Sequence, residues 1–137
     1  MKKVLSLMLL LAASTGLWAQ KGQVWPSETR QEFEIDENGK ITKEYAAADY
    51  NSYYLFINNN EFVHCTGTIT SLYKIVNRKQ RDGGVEYSVV SEVGNNYQMF
   101  FHEKDKYIVL SSRDKGFSVY IECKAPYTTQ VFDNINR

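Results

Sequence analysis

A chain of 137 residues in which 16 basic side chains balance 16 acidic ones has no charge excess to draw nucleic acid or an anionic membrane. Its length is that of one domain with a modest core. Ten Tyr and seven Phe against two Pro favour strands, because flat wide rings suit a pleated, half-buried surface.

The chain starts with a leader-like segment. Lys2 and Lys3 precede the apolar run Val4 to Leu11, and Ala12 to Ala19 follows with a small residue at its end. This pattern predicts a secretory signal peptide over 1–19, cut after Ala19. The run is too short for a membrane helix, which needs about 20 residues. No Cys follows it for lipid attachment. The expected destination is the periplasm or the medium. Loss of Lys2 and Lys3 would leave 14 Lys and Arg against 16 Asp and Glu.

Residues 20–31 show no clear period and read as an N-terminal arm, with Trp25 docking on the domain. Pro26 keeps the residue before it extended. The β domain is expected over 32–124. Glu32-Phe33-Glu34-Ile35 alternates, Asn38-Gly39 follows, and Lys40 to Tyr45 alternates again, which is a hairpin signal. Ala46 to Asp49 has room for one helical turn, too short to stand alone. Ser52 to Ile57 is apolar on both faces, as in a strand covered on two sides. Asn58-Asn59-Asn60 turns the chain into Glu61 to Thr66. Gly67 marks a bulge or bend, and Thr68 to Val76 continues as β-branched strand. Asn77 to Gly84 reads as a polar loop. Arg78, Lys79 and Arg81 would give it a basic contact surface for an anionic protein partner, or simply a solvated tip.

Val85 to Cys123 is the most plainly patterned stretch. Val85, Tyr87, Val89 and Val93 share one face, Tyr97, Met99 and Phe101 the next, and Phe117, Val119, Ile121 and Cys123 the last. Tyr107 to Leu110 is apolar on both sides. Turn residues recur about every ten positions, the spacing of an all-β sandwich or barrel. Connections this short join antiparallel neighbours. The expected fold is therefore all-β, an antiparallel up-and-down meander of about eight strands. It would form a small barrel or a half-open rolled sheet. Residues 125–137 read as a C-terminal tail, with Val131, Phe132 and Ile135 spaced as one helical face. Most strands are shorter than a membrane barrel requires, so no span is expected.

No catalytic, phosphate-binding or dinucleotide motif occurs, and neither His64 nor His102 has metal-ligand spacing. No cofactor or metal is expected. His64 and Cys65 are adjacent, so a strand would point them to opposite faces. Cys65 and Cys123 invite a disulfide in an exported chain. The aromatic face of Tyr87, Tyr97, Met99, Phe101, Tyr107 and Phe117 would either fill a barrel or line a ligand pocket inside it. The opposite face holds Val90, Phe100, Ile108, Leu110 and Tyr120, and would need cover from Trp25, Phe132 or a partner chain.

The meander from Phe33 to Lys124 is broadly similar to lipocalin-like barrels, and that resemblance implies a small apolar ligand held inside. Gly22-Gln23-Val24-Trp25 has one residue more than the G-x-W of that family. Small periplasmic lysozyme inhibitors are also similar in architecture, but their Ser-Gly loop before an Arg-Tyr is absent. Neither resemblance transfers a site residue. The expected function is an exported, non-enzymatic barrel that binds a small apolar or amphipathic ligand. The alternative is an envelope or secreted protein-interaction module, of inhibitor or adhesion type, acting through the Asn77 to Gly84 loop.

Overall fold

A computed structural model describes residues 21–128; the leader expected over 1–19 and Phe132 in the tail lie outside them. The strands are β1 (Gln23–Ile35), β2 (Ile41–Glu44), β3 (Ala48–Asn58), β4 (Glu61–Cys65), β5 (Thr70–Arg81), β6 (Gly84–Ser91), β7 (Asn96–His102), β8 (Tyr107–Ser112), β9 (Phe117–Cys123) and β10 (Tyr127–Thr128). All neighbours are antiparallel, from β1 through β3 to β9 in chain order. β9 returns to pair with β1, so eight strands close a barrel rather than a half-open roll. Closure removes the unpaired edges that an open sheet would expose. β2 and β10 are short additions to β1. No described helix is long and apolar enough to cross a membrane.

Two segments differ from the sequence expectation. The supposed arm is the first half of β1, and Trp25 is buried inside the barrel at 2% exposure. It therefore does not cover an outer face. The supposed basic loop is the second half of β5, and only Asp82-Gly83 turns. No helical turn forms at Ala46 to Asp49, where β3 already begins at Ala48.

Each of the two longest strands carries a bulge. In β1 the register shifts between Ser27 and Thr29, on both of its ladders. In β5 it shifts between Ile75 and Asn77. An extra residue reverses the inward parity beyond it. Trp25 and Ser27 point inward before the first bulge. After it the inward residues are Arg30, Glu32 and Glu34, paired with Ile121, Val119 and Phe117. Tyr73 and Ile75 point inward before the second bulge, and Arg78, paired with the buried Tyr87, does so after it.

The register of β7 and β8 settles the run that had no parity of its own. Phe101 faces Ile108 and His102 faces Tyr107. Ile108 is therefore fully buried inside, with Leu110 against the core on the same side. Tyr107, expected on the inner face, lies outside instead. Gly84 is fixed by close approach, since a Cβ there would sit 2.0 Å from the Phe101 carbonyl oxygen.

Phe101 is the hub of the core. Its ring lies 5.2 Å from Trp25, 5.9 Å from Tyr54, 5.3 Å from Phe56, 5.5 Å from Phe62 and 5.5 Å from Tyr87. All five of these contacts are edge-on, the arrangement that aligns ring edges with ring faces. Beside this cluster, Arg78 spans the barrel end that carries the β3–β4, β5–β6 and β7–β8 turns. Its guanidinium lies 6.0 Å from the Tyr87 ring centre, donates to the Asn59 carbonyl and reaches Asn60 Oδ1 at 3.5 Å. We call this the closed end.

The two cysteines are free and buried. Cys65 pairs with Tyr53, which is 43% exposed on the outer wall, whereas Cys123 belongs to the inner core cluster. Their sulfurs face opposite sides of the sheet, and the expected disulfide is not formed.

Candidate functional site

The opposite end of the interior is polar. β1 brings in Ser27, Arg30 and Glu32, β3 brings in Tyr50, Ser52 and Tyr54, and β4 brings in His64. The asparagine turn after β3 sets Tyr54 beside His64, and β1 sets Ser27 beside Ser52. Ser27 Oγ lies 2.6 Å from Ser52 Oγ and accepts from the Ser52 N–H at 3.0 Å. Its hydroxyl also lies 2.9 Å from the Tyr50 carbonyl and 3.1 Å from that of Ser52. His64 Nε2 is 3.0 Å from Ser52 Oγ and 3.1 Å from Tyr50 Oη. The Tyr54 ring stacks on the imidazole at 4.2 Å and 10°.

Burial, and then the nearby Arg30 guanidinium, push the His64 pKa down to about 4. A neutral ring follows at neutral pH, with Nε2 free to accept from a hydroxyl. Burial also raises the phenols of Tyr54 and Tyr73, so both stay protonated. Ser52 and His64 have the spacing of a nucleophile and its base. A ring with so low a pKa is a weak base at neutral pH, no described group orients its Nδ1, and Ser52 is buried and shared with Ser27.

Arg30 caps this network. Its guanidinium lies 5.3 Å from the Tyr50 ring centre, and one Nη2 meets Glu32 Oε1 at 2.7 Å. Its Nε is buried with no hydrogen-bond partner. A buried donor left unpaired costs about 1–3 kcal/mol. A cavity of about 330 Å³ opens beside the pair, lined by Arg30, Glu32, Tyr45, Lys115 and Phe117 among others.

The sequence-predicted lining does not stay together. Tyr87, Met99 and Phe101 are buried at 1–2% exposure in the solid core. Tyr97 and Phe117 are half-buried near the polar end, 6.1 Å apart, with Lys115 Nζ 5.7 Å from the Tyr97 ring. Tyr107 stacks outside on His102 at 4.4 Å, beside Tyr120 at 5.1 Å and near Phe100. His64 and His102 thus lie on opposite sides of the wall.

The predicted basic patch also divides. Arg78 turns inward, while Lys79 and Arg81 stay outside, Arg81 in an ion pair with Glu86. Those two line an outer groove of about 530 Å³ with Ser88, Gln98 and Ser111. Sequence reasoning missed Ser27, Arg30, Tyr50 and Ser52 as inward groups. Ser52, Tyr54 and Phe56 alternate plainly across the turn from Phe62 and His64, so β3 and β4 carried a readable signal. Arg30 carried none, because only the bulge turns it in.

The chain matches no protein-family model, no curated protein and no solved structure.

Proposed function

We propose that this protein is an exported, non-catalytic barrel that binds one small amphipathic ligand at the polar end of its interior. The carrying observation is the contrast within one lumen. The closed end is filled with rings, while the other end offers a cavity with an inward arginine and aromatic walls. Apolar parts of the ligand would rest on Tyr45 and Phe117, and its polar part would meet Arg30 above the Tyr50–His64–Ser52 network. Ligand sites commonly combine apolar walls with a few fixed polar groups in this way. The volume of about 330 Å³ suits a molecule of two or three rings or a medium acyl chain.

The neutral fluorophore N-phenyl-1-naphthylamine tests this reading. Saturable enhancement with one site per chain is expected. Tyr45→Ala should weaken it several-fold without lowering the melting temperature, since Tyr45 is exposed and outside the core cluster. No saturable binding by the unmodified protein would overturn the reading.

A further inference from the structure

We propose that Glu32 holds the place of a ligand's own anionic headgroup, and that the cavity takes amphiphiles bearing one carboxylate or sulfonate with Arg30 as its receptor. This inference rests on the polar-end reading above. Arg30 and Glu32 stand two residues apart on the same inward face of β1, after the bulge that turned both inside. Their ion pair is half-solvated, with side-chain exposures of 37% and 55%, so displacing it costs little. Glu32 uses one guanidinium nitrogen and leaves Nε without an acceptor. A planar carboxylate or a sulfonate can accept from two guanidinium N–H groups at once, which is how arginine prefers to bind such anions. The Tyr50 ring beside the guanidinium favours one fixed orientation for it.

Charge around the cavity agrees with a single negative group. Arg30 and Lys115 are balanced by Glu32 and Glu34 on its walls. If Glu32 swings into solvent, which its exposure permits, the lining is left one positive charge in excess. A neutral ligand would gain nothing from that movement, and a cation would meet Arg30 unshielded.

The test uses two dyes that share an anilinonaphthalene frame and differ by one sulfonate: 8-anilinonaphthalene-1-sulfonate and neutral N-phenyl-1-naphthylamine. Glu32→Gln removes the resident competitor. It should tighten the sulfonate dye about fivefold and leave the neutral dye within twofold. Arg30→Gln should abolish the gain and leave neutral-dye binding in place. Arg30→Lys keeps the charge without the fork and should fall between. If both dyes respond alike to these variants, or neither responds, the anion assignment is overturned while the polar-end reading stands. If neither dye binds the unmodified protein, both fall. Circular dichroism of each variant confirms that the barrel remains folded.

Discussion

The two ends of the lumen are built by the same eight strands and yet have opposite characters. Each receives an arginine through a bulge, Arg78 by way of β5 and Arg30 by way of β1. At the closed end the arginine is taken up by the Asn59-Asn60 turn and the Tyr87 ring, over a hub of aromatic side chains. At the polar end it meets the Tyr50 ring and a half-exposed Glu32 at the mouth of a cavity. A bulge-delivered charge completes the fold where neighbouring groups satisfy it. Where its partner is a solvated side chain the pair is weak, and the proposed anion site rests on that weakness.

The sharpest way to break this comparison is to cut into each end in turn. Phe101→Ala removes a ring that touches five others and should cost about 3–5 kcal/mol in urea unfolding. A loss near zero would mean that the closed end is not solid. At the polar end, Ser27→Ala leaves the Ser52 N–H and hydroxyl without their shared partner, and about 1–3 kcal/mol should be lost.

Acid tests the same end without mutation. His64 has a folded pKa near 4 and an ordinary value of 6.5. Between these values the unfolded chain binds the extra proton. The contribution of His64 is therefore fully present above about pH 6.5 and is lost as pH falls toward 4. The ring is partly solvated, so the loss is about 2 kcal/mol, read as a falling urea midpoint between pH 7 and pH 4. His64→Gln should flatten that slope. A wild-type slope that survives the substitution would place the titrating group elsewhere.

The outer wall should respond least. Tyr107→Ala breaks a surface stack with His102 and should cost about 1 kcal/mol or less. The thiols should have no covalent link to lose, so reduction should leave the intact mass unchanged. Cys123, pushed up to about 12 by burial and then by Glu28, should alkylate only on unfolding. A gain of 2 Da on reduction would show that a bridge forms after all.

Much of the fold was legible in the residues because it rests on local chemistry. Asn38-Gly39, the asparagines before β4, Asp82-Gly83 and the charged turns between β7, β8 and β9 mark their own corners. Alternation in β6, β7 and β9 puts Val85, Tyr87, Met99, Phe101, Val119 and Ile121 inside, where they are found. The candidate site was far less legible. Glu32-Phe33-Glu34-Ile35 looks like an ordinary amphipathic strand, but its polar residues face the lumen and its apolar ones face outward, where β2 pairs alongside. Tyr107 to Leu110 could be read with either parity, and the pairing with Phe101 and His102 chose between them.

The sequence by itself determined an all-β meander, its turn positions and the identity of most of its core, because turn preference and period-2 burial act over a few residues. Only the tertiary structure decided that β1 closes the ring against both β3 and β9. It alone decided that bulges beside Ser27 and Ile75 turn two arginines inward, and that Cys65 and Cys123 stand on opposite faces. Those outcomes depend on register between strands far apart in the chain, and a one-residue shift there reverses every side chain beyond it.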